Sequence, residues 1–219
     1  IEIDSKMKPI DAANVLWEHG ILGTPVWNEA THSYCGFFDM RDILSAVVAA
    51  STLMDVYGYN IAMVKQIGEI AEKETKKGME VPCTLTYLAS RNPVFSCRPD
   101  ASLEKICNIL SERKCRRVLL SSQEKGAHCD GMLSRSAIMK FLSKHASQED
   151  LKETVSEAGL TYDKEVVTVN ENATAREAFE LMDSKGLYGL AVVDEEGTLV
   201  ANTSASDSVL AALDKGKAA

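Results

Sequence analysis

Two kinds of side chain in this sequence could hold a small charged ligand: aspartates at predicted helix starts and a pair of adjacent arginines. Asp42 and Asp207 each follow a predicted strand and begin a helix, where a carboxylate can accept charge-assisted hydrogen bonds from two hydroxyl groups. Arg116 and Arg117 precede a predicted strand, and an arginine fork matches phosphate oxygens with two parallel bonds. Each has a plainer alternative: the aspartates could cap free helix amides, and residues 112–117 could be a solvated helix end.

Motifs typical of enzymes are missing from the sequence. It contains no glycine-rich phosphate loop, no Gly-x-Ser-x-Gly element, no His-Glu-x-x-His and no protein-kinase signature. The carboxylates fall on turns and helix faces without a histidine partner. We therefore expect a protein that is not an enzyme and requires no cofactor.

The composition is that of a globular protein with an acidic balance. The 219 residues are 45% hydrophobic and 26% charged. The net charge of −8 argues against nucleic-acid binding, which needs a dominant basic surface. No apolar run reaches the roughly 18 residues of a membrane span, and the N-terminus lacks the features of a secretory signal. The chain begins at Ile1 without a Met, as a trimmed chain with missing flanks would.

Six cysteines and four histidines are present without the spacing of metal ligands, so no metal site is expected. Cys107 lies on the apolar stripe of a predicted helix and Cys97 in a predicted strand, where a thiol behaves as a small hydrophobic group. We expect the cysteines to be buried and reduced. That implies a reducing compartment, the cytoplasm or, as an alternative, the nucleus.

The elements that would position the candidate residues recur three times along the chain. Residues 20–28, 114–122 and 186–194 each run from a polar helix end through a short step into an apolar strand. In every copy the last apolar residue of the preceding helix stands nine positions before the strand: Leu16 to Pro25, Leu110 to Leu119, Met182 to Ala191. Each copy continues with a turn, a second strand and another helix.

Local patterns in the later two copies define the predicted unit. Apolar residues from Leu103 to Leu110 recur at the spacing of one helix face, and Thr174 and Glu177 form a capping box. Strands are predicted at 93–97 and 166–169, and the turn at 194–197 predicts a hairpin. The predicted fold class is α/β, built from strand–helix–strand–strand–helix units that pack in pairs through their sheets.

A shared motif stands before each closing helix. Residues 36–42 read Gly-Phe-Phe-Asp-Met-Arg-Asp, 131–137 read Gly-Met-Leu-Ser-Arg-Ser-Ala, and 201–207 read Ala-Asn-Thr-Ser-Ala-Ser-Asp. The motif ends 17, 18 and 16 residues after the middle of the preceding strand (25 to 42, 119 to 137, 191 to 207). The set resembles the CBS domain, whose landmark is Gly-h-h-[Ser/Thr]-x-x-Asp with h apolar. The resemblance implies that paired copies form a Bateman module with nucleotide clefts between them.

The second copy is similar to the gamma subunit of AMP-activated protein kinase. Residues 111–119 carry a basic pair ahead of the strand, and 131–142 end in Lys-Phe-Leu. Residues 25–28 and 151–153 also fit that family. The resemblance implies a regulatory module that senses AMP, ADP or ATP and reports to kinase catalytic or scaffold subunits. A gamma subunit has four repeats and three are found here, so a fourth would follow Asp207.

Two alternatives stay open. One is a free-standing CBS protein that regulates another enzyme or a transporter. The other is a scaffold whose nucleotide clefts are vestigial. In either case the oligomeric state is open, and a homodimer through the CBS repeats is one alternative. An adenosyl compound such as S-adenosylmethionine would use the same base and ribose features as a nucleotide.

The resemblance assigns roles to individual residues. Asp42 and Asp207 take the family's ribose position, whereas Ala137 leaves the second copy without an acceptor. Arg116 and Arg117 would reach across the module to the phosphate in the first copy's site. The other predicted nucleotide-binding residues are Val94, Arg135, Lys140, Ser204 and Asp39.

Two departures from the family pattern affect these sites. Asp39 replaces the usual Ser or Thr, so it is expected to pair with Arg41 or Arg116, to disfavour more highly charged nucleotides, or to spoil the site. The third copy lacks a basic pair at 185–188, so its phosphate donors would come from a fourth copy or another chain. Its site therefore ranks below that of the first copy.

The predicted organisation has four parts. Repeat 1 covers residues 1–50, a helical connector 51–90, repeat 2 residues 91–147 and repeat 3 residues 150–213. Repeats 1 and 2 are expected to pair as a Bateman module, which leaves repeat 3 as part of an incomplete pair.

Overall fold

The computed structural model describes residues 1–57, 84–122, 127–147, 152–159 and 165–208. In this part of the chain each predicted repeat folds around its own three-stranded sheet. The first strand of each sheet runs parallel to the second, and the second pairs with the third as an antiparallel hairpin. Much of the predicted connector, residues 58–83, and any repeat after residue 208 lie outside the described residues.

Repeat 1 and the segment after it form the following elements: β1 (Ile3–Asp4), α1 (Pro9–Glu18), β2 (Gly23–Asn28), β3 (Ser33–Asp39), α2 (Met40–Tyr57) and α3 (Leu85–Ser90). Pro9 opens α1, where its missing backbone N–H has no helical acceptor to lose. Thr84 caps α3, and its side chain accepts from the Tyr87 amide at 3.2 Å. Helix α3 packs against β3. Strand β1 was not predicted from the sequence.

Repeat 2 consists of β4 (Ser96–Cys97), α4 (Leu103–Glu112), β5 (Arg117–Leu120), β6 (Gly131–Ser134) and α5 (Arg135–His145). The Ser102 side chain caps α4 by accepting from the Lys105 amide at 3.2 Å. Ile106 and Leu110 are buried, as the helical spacing predicted. The predicted strand at 93–97 is shorter than expected and contains only the two residues of β4.

Repeat 3 consists of β7 (Thr168–Asn170), α6 (Ala175–Lys185), β8 (Gly189–Val193) and β9 (Leu199–Ser204). The capping box of Thr174 and Glu177 is confirmed, as is the hairpin between β8 and β9. Gly186 ends α6 with a φ of 68°, a left-handed conformation that glycine adopts without a Cβ penalty. The predicted strand at 166–169 lies one to two residues later in the structure.

The three hairpins share one register. The first residue of the shared motif pairs with equivalent positions of the preceding strand: Gly36 with Val26, Gly131 with Leu120, Ala201 with Val192. The fourth residue does the same: Asp39 with Gly23, Ser134 with Arg117, Ser204 with Gly189. The repeat alignment made from the sequence is therefore confirmed, and Asp42, Ala137 and Asp207 occupy equivalent positions.

The chain divides into two compact units, Ile1–Pro93 with Val167–Ala219, and Val94–Val166. In the first unit α2 packs against α6, so that repeats 1 and 3 share one hydrophobic core. Fully buried residues of that core include Leu16, Phe38 and Leu44 from repeat 1 and Met182 from repeat 3. The packing of repeat 3 on repeat 1 was not predicted. The pairing of repeat 1 with repeat 2 concerns two different units and stays a prediction.

The second unit has a smaller core of its own. Its buried members are Ile106, Leu110, Val118 and Ile138. Helix α5 also carries exposed apolar side chains, Met139 and Phe141 among them.

The cysteines are less buried than expected. Cys35, Cys97, Cys107, Cys115 and Cys129 are reduced thiols of intermediate exposure. Among the described residues no helix is long and apolar enough to cross a membrane. No cluster of three metal-ligating side chains occurs in the same part of the chain.

Candidate functional site

The start of helix α2 holds two buried carboxylates. Asp39 and Asp42 are 3% and 2% exposed. Asp42 Oδ2 accepts hydrogen bonds from the Asp39 backbone N–H at 2.8 Å and from Asn92 Nδ2 at 2.9 Å. The first bond is a helix-capping contact, so the plainer alternative for Asp42 is realised in this structure.

Burial raises the pKa of Asp42 from 3.8 to about 8. The largest cause is desolvation of the charged carboxylate, and the negative charge of Asp39 adds to it. The backbone N–H of Asp39 and the cations Arg91 and Arg41 act in the opposite direction. Asp42 therefore changes its charge near pH 8.

Asn92 belongs to the turn after α3 and holds that turn against β3. Its backbone oxygen accepts from the Phe37 N–H at 2.9 Å, and its Nδ2 also lies 3.3 Å from the Phe37 oxygen. Strand β3 and helix α3 approach each other very closely beside this turn, since a Cβ placed on Gly36 would lie 1.9 Å from the Ala89 oxygen. A glycine at position 36 is therefore required for α3 to pack here. The sequence carried no signal for the contact between Asn92 and Asp42.

Asp39 connects repeat 1 to repeat 3. Its Oδ1 accepts from the Arg41 backbone N–H at 2.9 Å, and its Oδ2 accepts from the Tyr188 hydroxyl at 3.1 Å. The Arg41 guanidinium lies over the Tyr188 ring, 5.2 Å from the centroid. Ser45 of α2 also donates to Asp183 of α6. The expected partner Arg41 thus contacts Asp39, but through its backbone.

The Arg41 side chain is a candidate ligand group that the sequence reasoning considered only as a partner for Asp39. Its Nε is buried and has no hydrogen-bond partner in the described part of the chain. A Cβ placed on Gly186 would lie 3.6 Å from Arg41 Nη2. Arg41 therefore stands beside the segment of repeat 3 that lacks a basic pair of its own.

The equivalent site in repeat 3 is open. Asp207 is exposed, and its Oδ2 accepts from the Ser204 backbone N–H at 2.7 Å and from the Thr203 hydroxyl at 3.1 Å. The Ser204 hydroxyl lies 3.4 Å from the same oxygen. Asp207 therefore makes the same capping contact as Asp42 but remains accessible to solvent.

Repeat 2 contains the predicted basic residues but no carboxylate at the equivalent position. Ser134 caps α5 by accepting from the Ala137 amide at 3.2 Å. Arg117 is buried at 9% exposure, whereas the other three basic candidates, Arg116, Arg135 and Lys140, are exposed. Arg135 donates through Nη2 to the Leu110 oxygen at 3.0 Å. Val94 is half-buried at the start of this unit.

The two sets of predicted site residues belong to different units. The first unit contains Asp39, Asp42, Ser204 and Asp207, and the second contains Val94, Arg116, Arg117, Arg135 and Lys140. The reach of Arg116 and Arg117 into the repeat 1 site stays a prediction. Within the first unit, the structure brings Asp39, Asp42, Arg41, Asn92 and Tyr188 together.

A comparison with protein families identifies the repeats. Residues 87–144 and 155–207, just over half of the chain, match the family model of the CBS domain. The chain belongs to the CBS domain family. The matched segments correspond to repeats 2 and 3 of this CBS-domain protein, and repeat 1 shares their register.

Two curated relatives cover most of the chain. Protein SDS23 of Eremothecium gossypii is 22% identical over 224 aligned positions, which cover 94% of this chain and 43% of that protein. The 5'-AMP-activated protein kinase subunit gamma of Dictyostelium discoideum is 22% identical over 218 positions, which cover 95% and 35%. The chain thus spans less than half the length of either relative.

A solved structure supports the architecture. A Methanocaldococcus jannaschii protein, proposed to be an archaeal homologue of the kinase gamma subunit, superposes with a TM-score of 0.66 at 13% identity. The match covers 95% of this chain and 67% of that one. At this identity the likeness shows the fold alone, which agrees with the tandem-repeat α/β architecture.

Proposed function

We propose that this CBS-domain protein is a non-catalytic regulatory module that binds an adenine nucleotide and transmits the bound state to a partner protein. The similarity to a kinase gamma subunit supports the class of function. The structural observation that carries the proposal is the exposed carboxylate of Asp207 at the start of the closing helix of repeat 3.

Asp207 has the chemistry of a ribose acceptor. A carboxylate offers about four lone-pair directions, and the capping contacts of Asp207 involve only Oδ2. The ribose of a nucleotide presents two neighbouring hydroxyls that donate to such a group. Because the carboxylate is exposed, binding requires no displacement of a protein donor.

The sequence ranks the repeat 1 site, with Asp42, above the repeat 3 site, with Asp207, as the better nucleotide site. Our proposal reverses this order. Asp42 is buried and already accepts from Asn92, whereas Asp207 is exposed. Ala137 offers no acceptor in repeat 2. We therefore place the first nucleotide at repeat 3 and keep repeat 1 as a second, closed site.

The phosphate donors are proposed from two sources. Arg41 lies beside Gly186, where repeat 3 lacks its own basic pair, and its buried Nε has no partner among the described residues. Arg116, Arg117, Arg135 and Lys140, which belong to the other unit, remain the second source, as the sequence predicts. Guanidinium groups suit this role because they remain charged and bind phosphate oxygens in pairs.

Regulation would follow from linkage. A nucleotide that binds one arrangement of the repeats more tightly than another shifts the population toward that arrangement. A partner protein that prefers the same arrangement then binds more tightly, by the same coupling free energy. A kinase catalytic or scaffold subunit is the proposed partner.

Thermal unfolding with AMP, ADP, ATP and S-adenosylmethionine tests the proposal. A ligand at 100 times its dissociation constant stabilises the folded state by about 2.7 kcal/mol. We expect at least one nucleotide to raise the unfolding temperature of the wild type, and we expect this rise to be smaller in Asp207→Ala, which lacks the open site. Asp194→Ala is the matched control, since Asp194 is a half-buried aspartate of the turn between β8 and β9, outside the shared motif, and its Oδ1 accepts from the Thr198 amide at 2.7 Å. If none of the four ligands shifted the unfolding temperature, a scaffold with vestigial nucleotide clefts would be the better explanation.

A second candidate is a regulator of a different partner. The similarity to Protein SDS23 extends over 94% of this chain, as far as the similarity to the kinase gamma subunit. Co-purification from cells separates the two: a kinase catalytic chain supports the first proposal, and a reproducible partner of another class supports the second.

A further inference from the structure

The turn at residues 91–93 places a donor of the chain itself on the carboxylate proposed for a ribose. Asn92 Nδ2 donates to Asp42 Oδ2 at 2.9 Å. A ribose hydroxyl would supply the same kind of bond to the same group. The side-chain amide therefore occupies the position that a ligand donor needs.

The turn is held by polar contacts at Asn92 and by the apolar packing of the preceding helix α3. Its polar contacts to β3 and α2 run from Asn92 to the Phe37 backbone and to Asp42. Within the α3 segment, the Asn92 N–H donates to the Ala89 oxygen at 2.9 Å and the Arg91 N–H to the Leu88 oxygen at 3.3 Å. Its apolar anchor is α3, where Leu85, Leu88 and Ala89 are at most 1% exposed. Arg91 and Pro93, which flank Asn92, are exposed. The Asn92 contacts can therefore break while α3 stays packed on β3.

Among the residues that the structure describes, this closure is seen in repeat 1. Close packing of α3 depends on Gly36. At the equivalent position of repeat 2, a Cβ placed on Gly131 would have its nearest neighbour at 4.0 Å. The equivalent residue of repeat 3, Ala201, is exposed. The carboxylate at the equivalent position in repeat 3, Asp207, is exposed and accepts only from residues of its own motif in the described part of the chain. Repeats 1 and 3 thus carry the same acceptor in a covered and an uncovered form.

We propose that Asn92 acts as an internal substitute for the ligand's hydroxyl donors at Asp42 and closes the repeat 1 site until a nucleotide displaces the Arg91–Pro93 turn. The inference rests on the proposed function, because it concerns access to one of the two ribose acceptors. Its consequence is sequential loading, in which repeat 3 fills at lower nucleotide concentration and repeat 1 fills only after Asn92 is released.

The test measures AMP binding by titration calorimetry in the full chain with Asp207→Ala, which removes the open acceptor. Adding Asn92→Ala should tighten binding to the remaining site about tenfold, because AMP no longer competes with the Asn92 hydrogen bond to Asp42. Adding Asn172→Ala, the loss of an exposed asparagine in repeat 3, should leave the affinity unchanged. Adding Asp42→Ala to the Asn92→Ala chain should abolish binding. Equal affinity with and without Asn92, or no binding in either, overturns the inference.

Wild-type protein, titrated in parallel, separates this inference from the proposed function. Binding to the wild type with none to the Asp207→Ala, Asn92→Ala chain rejects the closed site alone, whereas no binding to any chain rejects both. Hydrogen exchange tests the inference in the wild-type protein, without a substitution at Asn92. Saturating AMP should speed exchange of the Phe37 amide, which donates to the Asn92 oxygen, by about tenfold, and unchanged exchange contradicts displacement of the turn.

Discussion

The side-chain amide of Asn92 donates to the carboxylate of Asp42 across 2.9 Å, although the two residues are 50 positions apart in the chain. The bond connects the start of α2 to the turn after α3 and leaves Asp42 almost without contact to water. Ionising a carboxyl group in this position is costly because the charged form loses its hydration, and this cost raises the pKa to about 8. The stability of the protein should therefore depend on pH in a way that one substitution can reveal.

Replacing Asp42 with Asn should remove a pH-dependent loss of stability. The pKa of Asp42 is raised from 3.8 to about 8 on folding, so its favourable contribution is fully present below pH 4 and is lost as pH rises through 8. The wild type should lose at most about 1.4 kcal/mol per pH unit relative to Asp42→Asn in this window. Urea unfolding of both proteins between pH 5 and 8 measures the difference.

The Asp207→Asn protein is the control for that experiment, because Asp207 is an exposed carboxylate at the equivalent position. Charged groups that face Asp42 are Asp39, Arg91 and Arg41, and all three are present in wild type and variant alike. If the stabilities of wild type and Asp42→Asn stayed parallel across the pH range, Asp42 would not be the titrating group.

Gly36→Ala should destabilise the first unit by about 2–3 kcal/mol. The new Cβ would lie 1.9 Å from the Ala89 oxygen, so α3 must move away from β3. Gly131→Ala is the matched control, since its Cβ would have a nearest neighbour at 4.0 Å and the third repeat already has Ala201 there. Chemical unfolding curves of the two variants should separate clearly, and equal effects would contradict the close packing of α3.

Tyr188→Phe should cost about 1–2 kcal/mol of unfolding free energy. The substitution removes the hydroxyl that donates to the buried Asp39 but keeps the ring on which Arg41 lies. Tyr87→Phe, at an exposed position of α3, should change stability little. A double-mutant cycle with Asp39→Ala measures the coupling, and additive effects would mean that the two residues do not interact.

Met182→Ala should be the most destabilising of these substitutions, at about 2–4 kcal/mol. Met182 is fully buried in the core that repeats 1 and 3 share, so truncation leaves a cavity between them. Met139→Ala, which truncates a side chain that is 63% exposed, should stay within about 0.5 kcal/mol. A small effect at Met182 would argue against the shared core.

Much of the fold could be predicted because its signals are local. The spacing from strand to closing helix predicted a common hairpin register, and that register places Gly36, Gly131 and Ala201 opposite equivalent positions. The capping box at Thr174 and Glu177 and the hairpin at 194–197 depend on residues only a few positions apart. Such contacts leave a pattern in the sequence because both partners lie in one window.

The central contacts of the site could not be predicted in the same way. Asn92 meets Asp42 across 50 residues, and Tyr188 meets Asp39 across 149. The residue types of these pairs are ordinary, and only the packing of α3 on β3 and of α6 on α2 brings them together. The burial of Asp42, which sets its pKa, depends on that packing as well. The ribose role of both aspartates remains a proposal because capping explains the same positions.

Titration of AMP into the wild type and into Asp207→Ala tests the central claim most directly. We predict saturable binding to the wild-type chain and a loss of the tighter site in Asp207→Ala, with binding to Asp194→Ala unchanged. Wild-type protein that binds no adenine nucleotide, or an Asp207→Ala protein that binds as tightly as the wild type, would contradict the account.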